Sequence, residues 1–177
     1  MELLRDIERN FRDDTGPVTI RTPVGRFTIW LLCGDVRWTS WDTLPFRKRP
    51  TQFSDASKRI ISELRQYFKT GWSDFGWFEI PKFALLLKPE EVVRAFVFLK
   101  DNVRPGQLIT YNELADIVGA EPPVLRAHIQ NNRLPVIIPC HRVIRSDGRM
   151  GGYQRGHDDK KYWLLKLEGI RFKGDIW

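Results

Sequence analysis

The chain contains only two cysteines, Cys33 and Cys140, in 177 residues. Two thiols cannot build the disulfide framework of a small secreted domain, and in a reducing compartment they stay free. Long apolar runs are missing too, since no stretch approaches the roughly 20 residues that a helix needs to cross a bilayer. The N-terminus lacks the apolar centre of a signal peptide. Over Met1 to Asp14, Leu3, Leu4, Ile7 and Phe11 are interleaved with Arg5, Asp6, Glu8 and Arg9, which predicts an amphipathic helix. Internal repeats and low-complexity tracts are absent. Three histidines (His128, His141, His157) and the two cysteines fall into none of the usual zinc-ligand spacings. These absences argue against a membrane protein, a disulfide scaffold and a metal site, and they predict a cytoplasmic protein.

Positive charge is plentiful. The formal net charge is +7 and the pI about 9.6, which suits a polyanionic partner. The charge is also concentrated: Pro122 to Lys166 carries nine basic residues against three acidic ones. A solvated face explains such a run on its own, but this segment also holds Cys140 and His141.

The patterning predicts an α+β protein with two domains, residues 1–88 and 89–177. In the first, Val18–Thr22, Arg26–Cys33 and Val36–Trp41 read as three short antiparallel strands, separated by Pro23, Gly25, Gly34 and Asp35. Cys33 ends the second strand, where buried packing is the expected role. After a Pro- and Arg-rich loop at Pro45–Thr51, Ser54 is an N-cap for a helix with Ile60, Ile61, Leu64 and Phe68 on one face, stopped by Gly71. Glu79–Leu87 reads as a strand or an extended connector. In the second domain, Glu91–Asn102 has helical spacing and is broken by Arg104-Pro105-Gly106. Thr110 and Glu113 form a capping box for a helix through Val118, ended by Gly119. A further helix starts at Pro122 or Pro123 and runs through Gln130. These two helices form a helix-turn-helix in a mostly helical, winged-helix-like domain. A glycine-rich loop around Tyr153 and a last helix, Asp158–Leu167, complete it.

Cys140 beside His141 is the point with most chemical content. The thiolate is the reactive form of cysteine, and a neighbouring imidazole or positive field favours it. A buried free cysteine packing as a small apolar group is the competing reading.

Ile138-Pro139-Cys140-His141-Arg142-Val143-Ile144, then Gly151-Gly152-Tyr153, Lys161-Tyr162-Trp163-Leu164-Leu165 and Glu168-Gly169, resembles in order the signature of the O6-alkylguanine-DNA alkyltransferase family. Pro105-Gly106-Gln107, Thr110-Tyr111 and Leu114-Ala115 extend the resemblance upstream. It is strong over Glu91 to Gly169, and in the N-terminal half it rests on Thr22-Pro23-Val24-Gly25. The resemblance implies a ribonuclease-H-like topology for the first domain. It also implies a reaction: an alkyl group on O6 of guanine is transferred irreversibly to Cys140, once per molecule and without a cofactor.

By the same resemblance His141 takes the thiol proton through a water, and Glu168 orients the imidazole. Tyr111 donates to guanine N3 and Tyr153 lies near O6. The backbone carbonyls of Cys140 and Val143 accept from the exocyclic amine, with Gly152 and Gln154 beside them. Asn132 ties the helix-turn-helix to the active-site loop. The partner implied is double-stranded DNA containing O6-alkylguanine, bound by a monomer through the minor groove with the target base flipped out. Pro123, Arg126, Ala127, Gln130 and Arg133 are the DNA-side residues.

One segment departs from the family. Members start the second helix with an Arg-Ala pair and follow it with Asn-Pro, whereas this chain has Pro122-Pro123-Val124-Leu125-Arg126-Ala127 and then Asn132-Arg133. Either Arg126 fills the gap left by the flipped base, or, with Cys140 setting the register, Pro123 occupies that place. Arginine brings both a stacking plane and a charge, which favours Arg126. A non-catalytic reader of alkylated DNA, a helix-turn-helix regulator and a cysteine hydrolase are the competing functions. The first two have no use for the Cys140–His141 pair, and the third would show turnover.

Overall fold

The computed structural model describes residues 14–42, 49–154 and 156–172. The amphipathic helix expected over Met1–Asp14 falls almost wholly outside these residues, as does most of the Pro45–Thr51 loop.

Strands β1 (Gly16–Thr22), β2 (Gly25–Leu32) and β3 (Asp35–Ser40) form an antiparallel sheet in that order. Side chains alternate along a strand, so Phe27, Ile29 and Leu31 of β2 share one buried face. Trp30 points the other way and stacks at 5.0 Å on Trp38, its cross-strand partner in β3. Helix α1 (Asp55–Thr70) packs Ile60, Ile61, Leu64, Tyr67 and Phe68 into the core. As expected, the Ser54 side chain caps it, accepting from Ser57 N–H, and Gly71 ends it.

Two expectations for this half are corrected. Cys33 is exposed, because β2 stops at Leu32 and Cys33-Gly34 is the two-residue turn into β3, both residues having positive φ (53° and 77°). Such turns match the twist of a hairpin and point their side chains outward. Glu79–Leu87 is not a strand or an extended connector throughout: Lys82–Leu85 forms one helical turn, α2, between extended backbone at Pro81 and Leu86. Phe83 of α2 meets Trp38 at 6.3 Å, so this turn lies against the sheet face that carries the paired tryptophans.

The second half follows the predicted order, with helices α3 (Glu90–Asn102), α4 (Tyr111–Val118), α5 (Pro122–Ile129) and α6 (Asp158–Leu167). The Thr110/Glu113 capping box is formed in both directions, and Gly119 is the left-handed C-cap of α4. A pair of two-residue strands was not foreseen. β4 (Ile109–Thr110) pairs in parallel with β5 (Val143–Ile144), with Ile109 opposite Val143. This short ladder fastens the start of the helix-turn-helix to the residues just after Cys140.

The two halves share one hydrophobic core that runs from Ile20 to Leu164. They are also bonded directly. Thr39 of β3 donates its N–H to Arg133 O (2.9 Å) and its hydroxyl to Pro135 O (3.0 Å), so the sheet grips the loop leading to Cys140. At the other end of the sheet domain, Gly71 lies against α6. A Cβ there would sit 2.1 Å from Leu167 O, and φ is 74°, so both space and conformation require glycine. That approach sets the end of α1 beside Glu168.

Candidate active site

Cys140 opens a single turn of 3-10 helix, Cys140–Arg142, at the end of the buried run Pro135–Pro139. The run includes Val136 at φ 75°, a conformation that costs a β-branched residue energy and persists only where its surroundings hold it. The thiol is 2% exposed. Asn132 Nδ2 donates to Cys140 Sγ (3.1 Å) and to Ile138 O (2.9 Å), while its Oδ1 accepts from Leu134 N–H (2.9 Å). Asn132 therefore shapes the loop and touches the Cys140 thiol at once. Gln154 Nε2 lies 3.8 Å from the sulfur and donates to Asn132 O. Burial pushes the Cys140 thiol up, with Asn132 and Gln154 pulling the other way, so at neutral pH it keeps its proton until a base removes it.

His141 is its neighbour in sequence. His141 is wholly buried, and its Nε2 is 2.7 Å from Glu168 Oε1. A carboxylate only accepts, so Nε2 carries the proton and Nδ1 is the basic nitrogen. Nδ1 is buried with no hydrogen-bond partner among the described residues. Burial lowers the His141 pKa, opposed by Glu168, which keeps the ring neutral and able to accept a proton at pH 7. Burial alone would raise the Glu168 carboxyl, but His141 and Arg142 outweigh it and hold it well below the usual carboxylate range.

Three further groups meet Glu168, one of them Gly106 N–H, which donates to Oε2 at 3.3 Å. Arg142 donates from Nε and Nη2 at 2.9–3.2 Å, and Tyr67 of α1 donates its hydroxyl to Oε1 at 2.5 Å. With its proton on the carboxylate, the Tyr67 oxygen can only accept from Nε2 of His141, 3.2 Å away. The imidazole is thus held in one tautomer by a residue of each half of the chain.

Tyr153 is 3% exposed and its ring stands edge-on to His141 at 6.4 Å. Its N–H donates to Asp158 Oδ1 (2.6 Å), and its hydroxyl accepts from Trp41 Nε1 (3.3 Å). Val143 N–H closes the 3-10 turn onto Cys140 O, and Val143 O accepts from the buried Lys161 ammonium (2.8 Å). Each of these carbonyls keeps a second lone pair. Gly152 lies beside Gln130, whose Nε2 would be 3.2 Å from a Cβ at that position.

Tyr111 is the first residue of α4 and is brought toward Cys140 by the β4–β5 ladder. Burial and then the nearby Cys140 raise its phenol, so it stays a proton donor. It lines a cleft of about 470 Å³ together with Pro123, Arg126 and Ala127 of α5, its C-cap Gln130, and Arg145. Pro123 and Arg126 therefore share this cleft. Arg133 does not join them: its guanidinium lies over the Phe83 ring at 4.8 Å and donates to Phe83 O. Gln154 and Asn132 line a second cleft of about 740 Å³, which also includes Gln130, Trp38 and Asp42.

Sequence reasoning passed over Tyr67, Trp41, Arg142 and Lys161. For Tyr67 a signal existed, since it lies on the buried face of α1, three residues after Leu64, and a buried phenol needs a hydrogen-bond partner. Trp41 lies just past the end of β3, where nothing in the pattern says whether it is buried.

A three-stranded antiparallel sheet bonded to a mostly helical half, with a buried cysteine, histidine and carboxylate in that half, defines an α+β protein with a Cys–His–Glu cluster. Residues 93–170 match the model of the 6-O-methylguanine DNA methyltransferase DNA-binding domain. The chain is 40% identical over 84 residues to a methylated-DNA–protein-cysteine methyltransferase of Methanothermobacter thermautotrophicus, covering 48% of this chain and 47% of that protein. It thus spans about half the length of that relative. It is 33% identical over 115 residues to the protein of the same name from Pyrobaculum aerophilum, covering 65% of this chain and 71% of that one. The fold resembles that of O6-methylguanine-DNA methyltransferase from Pyrococcus kodakaraensis strain KOD1, with a TM-score of 0.63 at 22% identity over 87% of this chain and 98% of the other. The chain belongs to the methylated-DNA–protein-cysteine methyltransferase family.

Proposed function

We propose that this protein repairs double-stranded DNA by moving the alkyl group from O6 of guanine to Cys140, once and irreversibly. The observation that carries this reading is the site's proton path. A thiol kept neutral by burial sits beside a histidine whose protonated nitrogen is tied to a carboxylate and whose basic nitrogen, Nδ1, is left open. Through a water, Nδ1 takes the thiol proton. The thiolate then attacks the saturated alkyl carbon, the S–C bond forms, and the C–O6 bond breaks with its electron pair moving onto guanine. Glu168 stabilises the imidazolium, and Arg142 keeps Glu168 ionised.

Tyr111 donates to N3 and Tyr153 to O6 of the departing base, while the Cys140 and Val143 carbonyls select for guanine through its exocyclic amine. Gly152 and Gln154 bound the alkyl side of the pocket. Helix α5 enters the minor groove with Ala127 and Gln130 against the strand, and Arg126 takes the place of the flipped base. Arg133 is the weakest member of this set, given its commitment to Phe83. The work divides as residues 1–88, which brace the site, and residues 89–177, which bind DNA and react. The thioether is stable and no second thiol adjoins it, so neither cofactor nor regeneration is part of the reaction. A thiol that must stay reduced supports a cytoplasmic location, and no helix among the described residues is long and apolar enough to cross a membrane.

The test is intact-protein and peptide mass spectrometry after incubation with excess duplex containing O6-methylguanine. One methylene mass on Cys140 per protein, absent from Cys140→Ala, is the expected result. Tight binding without a mass change would identify a non-catalytic reader, and continuous release of product a hydrolase.

A further inference from the structure

Trp41 and Tyr153 are 112 residues apart, on opposite halves of the chain, yet the indole Nε1 and the phenol oxygen are 3.3 Å apart in a buried contact. Neither ring is free to turn away. Trp41 is 6% exposed and stands edge-on against Phe27 at 4.9 Å and Phe68 at 5.9 Å. Tyr153 is anchored through its main chain: its N–H is held by Asp158, and its carbonyl accepts from Gly156 N–H (3.1 Å) and His157 N–H (2.9 Å).

An indole N–H can only donate, so in this contact the Tyr153 oxygen must accept. A phenol has one proton, and with a donor on this side that proton points elsewhere. On its other side the Tyr153 ring meets the site itself, standing edge-on to His141 at 6.4 Å, and the buried Cys140 thiol is near enough to raise the phenol. The phenol proton is therefore aimed at the reacting centre. An indole donor on the oxygen also polarises the O–H bond and makes it a stronger donor on its other side.

From this geometry we infer that Trp41 is a positioning residue for alkyl transfer, which directs the Tyr153 proton toward the leaving oxygen. The inference rests on the alkyl-transfer reading above and gives the sheet domain a chemical task. As the S–C bond forms and the C–O6 bond breaks, the electron pair left on guanine is met by a donor already oriented, without the phenol first having to rotate. Phenylalanine at position 41 would fill much of the same space but leave Tyr153 free to turn its proton away.

The experiment measures single-turnover transfer from O6-benzylguanine and from its 8-bromo derivative, whose base is a better leaving group. The proteins are the wild type, Trp41→Phe, and a chain carrying 3-benzothienylalanine at position 41, which has the shape of tryptophan without the N–H. Each is made with Tyr153 and with Tyr153→Phe. Loss of one such hydrogen bond should slow benzylguanine transfer about tenfold in both position-41 variants. The brominated substrate should be slowed less, and neither variant should slow the Tyr153→Phe protein further. The isosteric residue keeps the packing, so a folding defect in Trp41→Phe does not decide the outcome. Wild-type rates in the isosteric variant, equal slowing on both substrates, or additive slowing with Tyr153→Phe each overturn the inference while the alkyl-transfer reading stands. A wild-type protein that takes neither a benzyl group from the free base nor a methyl group from O6-methylguanine in duplex DNA overturns both.

Discussion

Lys161 is a charge where the protein can least accommodate one, and its cost can be measured. Its side chain is wholly buried, and the ammonium donates to the carbonyls of Val143 (2.8 Å) and Met150 (2.5 Å). Burial pulls its pKa down from 10.5 to about 8, with Cys140 and Asp158 pulling the other way. Between those two values the unfolded chain holds a proton that the folded chain has released. Stability from this group is therefore lowest below pH 8 and rises as pH climbs toward 10.5. The whole difference is about 3 kcal/mol, of which about 2 kcal/mol returns between pH 7 and pH 9.5.

Burial raises Tyr67, Tyr111, Tyr153 and Cys140 instead, and those groups lose stability as pH rises, so the wild type alone would mix opposite signs. Comparison with Lys161→Met isolates the lysine, since the variant keeps the other groups. In urea unfolding, the wild type should gain about 2 kcal/mol on the variant between pH 7 and pH 9.5. Unfolding free energies that move in parallel over that range would refute the assignment of a costly buried ammonium.

The remaining expectations concern Gly71, His141 and Arg126. Gly71→Ala should cost about 2 kcal/mol or more in chemical denaturation, because the new Cβ meets Leu167 O in a left-handed backbone; a change near zero would mean that α1 and α6 are not locked there. Because burial lowers His141 below its ordinary 6.5, the transfer rate should hold as pH falls to 6.5 and decline only beneath it, as the base becomes protonated. A decline centred above 6.5 in a pH–rate profile would contradict the buried neutral imidazole. Arg126→Ala should slow repair of duplex DNA at least about tenfold more than reaction with free O6-benzylguanine, and equal loss on both substrates would remove the residue from base flipping.

Much of this molecule was legible in advance because its signals are local. Ser54, the Thr110/Glu113 box, Gly71 and Gly119 mark helix ends by satisfying backbone groups within a turn or two, and the structure uses each of them so. The alternation around Phe27, Ile29 and Leu31 gave the sheet for the same reason. Cys33 misled because a strand pattern does not say at which residue the chain turns, and the hairpin took the cysteine as its first turn position. Glu79–Leu87 misled because the five apolar residues Phe83–Leu87 fit a strand or a helical turn equally well.

The sequence by itself determined the three strands of the sheet and the capped helices, and it singled out Cys140, His141, Tyr111 and Glu168, since these lie in motifs read from neighbours along the chain. Tertiary structure alone decided which atoms act on them. Tyr67 reaches Glu168 across 101 residues and Trp41 reaches Tyr153 across 112. Pairings at such distances follow from the packing of α1 and β3 against the helical half. Strand and helix periodicity say which face of an element is buried, and they carry no information about which buried partner will meet it.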